Sequence, residues 1–306
     1  MINSELIYAF LSSSQTDKNL SQRTIKAYTY DLNLFDKFLK PKKIKDVNTS
    51  IIRKYLQVLQ EKGLKSTSIK RKLATLKVFF SFLENEEIID ISPMHKLKGR
   101  FKIPRKLPRI LSINEVSELL SILNKESQKY SGYKKYQWLR NQLIFELLFS
   151  TGIRIDELVK LKIEDYDRNN KTLLVYGKGR KERIIYISSN EVQNLISRHI
   201  ILRNEIDTIH DFLFVNNRLT PLSVHSIRNI FKTILSKSSI TKHYTPHCLR
   251  HTMATLLVEN GADIRSVQEI LGHSSISTTE IYVTISRQRK IEVMKKYNQR
   301  NLIMIC

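Results

Sequence analysis

The chain has 306 residues, room for two ordinary domains at about 100 to 200 residues each, and 41% of them are hydrophobic, enough for a core. A formal net charge of +23 is far more than solubility needs, and both halves are basic, so a polyanion is the expected partner, with nucleic acid fitting best. No apolar stretch is long enough to span a membrane, Met1–Tyr8 lacks the basic start of a signal peptide, and two cysteines cannot build a disulfide framework, so a reducing cytoplasm is the expected setting.

From Ser21 to Leu39 the apolar residues Ile25, Tyr28, Leu32, Phe35 and Leu39 recur at three- and four-residue spacing, which predicts an amphipathic helix starting near Ser21 or Thr24. Ile51–Leu59 and Ile69–Leu83 repeat the pattern. The latter carries Lys70, Arg71, Lys72 and Lys77 around a stripe of Leu73, Leu76, Phe79, Phe80 and Leu83. Residues 1–95 therefore read as a small helical domain with a basic, DNA-facing side. Between Pro93 and Pro108, prolines deny a regular helix and charge denies a core, so residues 96–110 read as an extended linker. Its Arg100, Lys102, Arg105 and Lys106 could lie along a phosphate backbone.

Ser112 and Glu115 form an S-x-x-E capping box that opens a second domain, residues 111–306. Helices are expected at roughly 113–124, 138–150 and 155–161. Lys171–Tyr176 and Arg183–Ile187 flank Gly177-Lys178-Gly179-Arg180, which predicts a β-hairpin with a glycine-rich tip. From Glu191 onward helical periodicity returns. The fold class is mainly α with a small β-hairpin or sheet.

Thr151-Gly152-Ile153-Arg154 ends one helix and starts another, placing Arg154 near a helix N-terminus where an anion is favoured, with Glu157 able to orient its guanidinium. Lys178 sits between glycines that let the backbone approach a ligand closely, and Arg180 follows it. The spacing is not that of a nucleotide-binding loop, so no nucleotide cofactor is expected. Pro246 suits a first helical turn, and His247 and Arg250, at i and i+3, share one face. His247 and His251 have metal-like spacing but lack a third ligand, so no metal is expected. Leu271-Gly272 marks a helix end with His273 just beyond, and Tyr282 follows nine residues later. Singly these read as an exposed arginine, a hairpin lysine, a capping histidine and one of 13 tyrosines. Together, guanidiniums can hold a phosphate, imidazoles and an ammonium can move protons, and a phenol in a cationic pocket can attack phosphorus. The set describes phosphodiester cleavage through a covalent tyrosyl phosphate.

In this order, Thr151-Gly152-Ile153-Arg154-Ile155-Asp156-Glu157-Leu158, Gly177-Lys178-Gly179-Arg180-Lys181-Glu182-Arg183, His247-x-Leu249-Arg250-His251, Leu271-Gly272-His273 and Tyr282 resemble the motifs of the tyrosine recombinase, or phage-type integrase, family. The resemblance covers nearly the whole chain, and the length is similar to that of the short Xer-like bacterial members. Tyr282-Val283-Thr284 lacks the histidine that many Xer-like proteins carry two positions after the tyrosine. The resemblance implies a two-domain, C-shaped DNA clamp, with a SAM-like core-binding domain and a mixed α+β catalytic domain. It implies Tyr282 as nucleophile, Arg154, Arg250 and His273 on the nonbridging oxygens, His247 on the tyrosine proton and Lys178 on the leaving 5′ hydroxyl. A 3′-phosphotyrosyl intermediate and a Holliday junction follow, with no cofactor, for integration and excision of a mobile element or for dimer resolution. It further implies a homotetramer on two sites in double-stranded DNA, with room for an accessory protein. In the tetramer a C-terminal stripe of Ile291, Met294, Tyr297 and Leu302 would dock on a neighbour rather than on its own domain. The rivals are a type IB topoisomerase-like enzyme and a catalytically silent DNA-binding accessory protein.

Overall fold

The computed structural model describes residues 2–17, 20–97, 109–177, 182–206, 208–272 and 287–303. The chain divides into two compact units, Met1–Lys106 and Leu107–Cys306. It is mainly helical with one small sheet.

The first unit contains α1 (Asn3–Thr16), α2 (Gln22–Leu39), α3 (Thr49–Glu61) and α4 (Ser66–Asn85). Local chemistry sets two of the starts: the Ser21 hydroxyl accepts the Thr24 N–H, and Asn48 accepts the Ile51 N–H at 3.1 Å. Rings fill the centre, with Phe35 edge-on to Tyr55 at 5.0 Å and Phe10 of α1 edge-on to Phe79 at 5.3 Å. Asp31 of α2 is 1% exposed, and α4 supplies its partners: Lys72 Nζ at 2.8 Å, Thr75 Oγ1 at 3.1 Å and the Arg71 guanidinium. Lys72, which composition assigns to the basic face, therefore lies inside. It occupies the stripe position between Ile69 and Leu76, where a cation is tolerated because it neutralises a buried carboxylate. Lys70, Arg71 and Lys77 are exposed.

The second unit holds α5 (Ile113–Gln128), α6 (Gly132–Thr151), α7 (Ile155–Leu158), β1 (Tyr166–Asp167), β2 (Thr172–Tyr176), β3 (Glu182–Tyr186), α8 (Asn190–Asn204), α9 (Val224–Leu235), α10 (Pro246–Glu259), α11 (Ile264–Leu271) and α12 (Arg287–Tyr297). The capping box opens α5, with Ser112 N–H on Glu115 at 2.8 Å and Glu115 N–H on Ser112 Oγ at 3.2 Å. The strands form an antiparallel sheet in the order β1-β2-β3, with Val175 opposite Arg183. Helix α6 is central and buried from Leu143 through Thr151, including Glu146 at 1% exposure. That carboxylate is met by Arg300, whose Nη2 lies 2.5 Å from Oε1 and whose Nε also bonds it. Asn298 donates to the Ser150 carbonyl, and Val293 and Met294 are buried, so α12 and the turn after it pack on their own unit. Ile291 is half-buried, Tyr297 packs against the same core, and the side chain of Leu302 is outside the described residues.

His199 of α8 is fully buried against the Tyr136 ring at 5.2 Å, and its Nε2 donates to the Leu213 carbonyl at 2.9 Å. Nδ1 has no partner among the described residues, so protonation would strand a second N–H in the core. Burial, with the charges of Arg140 and Arg203, lowers its pKa to about 4 against the opposing pull of the Leu213 carbonyl. The neutral form is the folded form, so this contribution is complete above the ordinary value of about 6.5 and is lost as pH falls toward 4. Urea unfolding followed by Trp138, the single tryptophan, should lose up to about 3 kcal/mol between these limits, and His199→Asn should flatten that dependence. An unchanged slope in the variant would refute the assignment.

Candidate functional site

Two helices that end on left-handed glycines make the floor of the site. Gly152, at φ +62°, ends α6, and Gly272, also at φ +62°, ends α11. A Cβ on Gly152 would lie 2.7 Å from Leu271 Cδ2 and 3.3 Å from Met253 Sδ, so only glycine lets the two ends meet. Helix ends expose unpaired carbonyls that carry partial negative charge. The two predicted arginines bind them. Arg250 of α10 donates to the Gly152 carbonyl and, at 2.7 Å, to that of Leu271. Arg154, at the start of α7, donates Nη2 to the Gly272 carbonyl at 2.8 Å.

Glu157 is the second anchor. Its Oε1 accepts Arg154 Nη1 at 2.8 Å and its Oε2 the Arg154 backbone N–H at 3.0 Å. Arg183 of β3 grips both oxygens, Nη1 at 2.8 Å and Nη2 at 2.7 Å. Burial works to raise the Glu157 pKa, but the Arg183 fork, the Arg154 N–H and the nearby charges overcome it and bring the carboxyl to about 2. Arg250 is 6% exposed; burial first, then the charge of Arg154, lowers its pKa to about 10, and it remains a cation at neutral pH. Among the described residues, the Arg154 and Arg183 guanidiniums thus share one hydrogen-bonded carboxylate, which Arg250 feels only through its charge, and the site is left with excess positive charge. Arg154 and Arg250 each commit two side-chain N–H groups to these bonds and keep others for a ligand.

His247 stands on the first turn of α10, exposed, three residues before Arg250. Lost hydration of the ring, then the charge of Arg228 on α9, lowers its pKa, and Asp156 opposes. The shift favours the neutral imidazole, the form able to accept a proton. Helix α10 is itself braced from the start of the unit: the Leu111 N–H bonds the buried Thr252 hydroxyl at 2.8 Å, and Arg109 bonds the His243 carbonyl at 3.1 Å.

Of the six predicted catalytic residues, Arg154, His247 and Arg250 converge in this way. Lys178, His273 and Tyr282 lie outside the described residues, as do Arg100, Lys102, Arg105, Lys106 and Arg180. Arg183 is the residue that sequence reasoning passed over as a participant. The available signal was strand alternation, which places Arg183 on the same face as buried Ile185, where a cation demands an anion.

Paired guanidiniums pinned to helix-end carbonyls, beside a neutral histidine, define an anion site suited to a phosphodiester. The chain matches the Phage integrase family over residues 109–289 and the Phage integrase N-terminal SAM-like domain over residues 7–87. It is 39% identical to a tyrosine recombinase of Agathobacter rectalis, over 94% of this chain and 95% of that protein. It is 36% identical to tyrosine recombinase XerD of Staphylococcus saprophyticus, over 96% and 97%. The crystal structure of the XerH site-specific recombinase bound to difH substrate, a pre-cleavage complex, superposes with a TM-score of 0.66 at 25% identity, covering 95% of this chain and 82% of that one. The chain belongs to the phage integrase family and is a site-specific tyrosine recombinase resembling the Xer proteins.

The close approach at Gly152 can be measured against Gly132, which also has positive φ but open space around its Cβ direction. In urea unfolding, Gly152→Ala should cost about 2 kcal/mol more than Gly132→Ala, because Leu271 and Met253 must move. Equal losses would mean that the two helix ends are not in obligatory contact.

Proposed function

We propose that this recombinase cleaves and rejoins double-stranded DNA by attack of Tyr282 on a scissile phosphate, and that Arg154 and Arg250 bind that phosphate. The observation that carries the reading is the excess of guanidinium charge around Glu157, held before any ligand arrives. Pre-arranged donors of this kind stabilise developing charge without reorganisation and are commonly the largest catalytic effect. His247, neutral and on the same helix face as Arg250, takes the phenol proton as the tyrosyl–phosphorus bond forms. His273 adds a donor to the nonbridging oxygens, and Lys178 protonates the 5′ oxygen as its bond to phosphorus breaks. The phosphotyrosyl ester conserves the energy of the broken diester, and attack by another 5′ hydroxyl reverses the step through a Holliday junction.

The excess of basic residues suits the duplex. Exposed Lys70, Arg71 and Lys77 of the first unit, together with Arg100, Lys102, Arg105, Lys106 and Arg180, are assigned to its backbone; both Arg71 and Lys72 pair with Asp31, but Lys72 is buried in doing so and is withdrawn from that set, while Arg71 stays exposed. The relatives match over more than nine-tenths of the chain and are recombinases, which favours exchange over simple nicking and resealing. Assembly as a cytoplasmic homotetramer on two sites, with exchange of the α12 segment, is part of the proposal. The segment meets its own unit through Arg300–Glu146 and Asn298–Ser150, and a neighbour presenting the same two partners would restore both contacts, the usual low-cost logic of a swapped element.

Incubation with a nicked suicide substrate in EDTA should give a covalent protein–DNA adduct on a denaturing gel with wild type and none with Tyr282→Phe; an adduct in the Phe variant would disprove the nucleophile. Arg250→Ala should keep DNA affinity within about tenfold while cleavage falls by about 100-fold or more, the scale seen when one such donor is removed. Parallel loss of binding and cleavage would assign Arg250 a structural role instead.

A further inference from the structure

We propose that Arg183 is a positioning residue for phosphate activation: it locks the Glu157 carboxylate in the one rotation that presents the Arg154 guanidinium to the scissile phosphate. The inference rests on the phosphate role given to Arg154 above.

A glutamate carboxylate turns easily about its last torsion, and only one of its two bonds to Arg154 reaches the guanidinium, so on their own they leave that side chain loosely held. The Arg183 fork removes that freedom. Its two contacts, 2.8 and 2.7 Å, occupy both oxygens, and the same oxygens hold Arg154 by side chain and backbone. Arg183 also supports the other anchor of Arg154. A Cβ on Gly272, whose carbonyl accepts Arg154 Nη2, would lie 2.9 Å from Arg183 Cδ and 3.0 Å from its Nε, so the arginine stem lies directly against that residue. Arg154 is thus held at two points, and Arg183 touches both.

Simple packing does not account for this side chain. It is 17% exposed, and its Nε is buried with no hydrogen-bond partner among the described residues, a position that costs stability. An apolar residue would cover the same sheet face without burying a cation. What an apolar residue lacks is a rigid planar fork, and a lysine lacks it too, because its ammonium is a point charge on a flexible stem. Being engaged with Glu157 through both terminal nitrogens, Arg183 acts through Arg154 rather than on the substrate.

The test uses the full chain and single-turnover cleavage of the nicked substrate. Arg183→Met and Arg183→Lys should each slow cleavage by about 100-fold, the scale of a small misplacement in an active site, while DNA affinity stays within about threefold. Adding Glu157→Gln to either should cause little further loss, because both changes break one unit. On a substrate whose scissile phosphate carries a methyl group in place of one nonbridging oxygen, there is no negative charge for Arg154 to balance. There the defect relative to wild type should shrink to less than about fivefold. Wild-type rates in the variants, additive losses in the double variants, or an undiminished defect on the methylphosphonate would each overturn the proposal. Should Arg183→Met fail to fold, Arg183→Lys, which keeps charge and stem, carries the same comparisons. Failure of wild type to form any adduct would instead count against the cleavage mechanism itself, so the two outcomes are separable.

Discussion

One carboxylate among three guanidiniums, two of them bonded to it, is the constraint on which the anion site of the second unit depends. Without Glu157, Arg154, Arg183 and Arg250 would face one another as bare like charges in a partly dry site. A second carboxylate in contact would halve the excess positive charge and weaken the pull on a phosphate. A single shared anion, held ionised down to about pH 2, binds the cluster together and still leaves it hungry for negative charge. The buried carboxylate is tolerable only because both oxygens are saturated by charged donors.

The remaining anchors work by a different means. Carbonyls of Gly152, Leu271 and Gly272 fix the arginines in direction while subtracting little charge, since each contributes only the partial dipole of a helix end. This arrangement requires the end of α6 to touch Leu271 of α11 and the end of α11 to lie against Arg183, and each contact requires a residue without a Cβ, at Gly152 and Gly272. A backbone constraint at two glycines is thereby converted into electrostatic readiness at two side chains. The bracing of α10 by Leu111 and Arg109 extends the same logic, since that helix carries both His247 and Arg250.

What the sequence made legible was local. Ser21 and the Ser112–Glu115 pair announce helix starts because the partner is three residues away, and Arg154, His247 and Arg250 stand out because their residue types and spacing carry chemistry. Helix α1 escaped notice because its apolar residues, Leu6, Ile7 and Phe10, are followed by a serine-rich half that breaks the stripe. Lys72 reads as surface because its charge hides the fact that its position belongs to the apolar stripe, and only Asp31, 41 positions away, explains it. Arg183 is obscured by the adjacent Ile184 and Ile185, which leave the facing of β3 ambiguous until Glu157 is placed against it across 26 positions. Residues whose partners are distant in sequence are the ones that a linear reading loses.

The pairing of Glu146 with Arg300 joins positions 154 residues apart at the heart of α6. During synthesis that helix emerges long before its counter-ion, and a carboxylate sealed in a core without one is strongly unfavourable. Until Arg300 is in place, Glu146 must stay in water or take up a proton, which its burial favours. Closing the middle of the second unit over a charged Glu146 is thus tied to the docking of the segment that carries Arg300, so the order of the core depends on a stretch of chain made long after it.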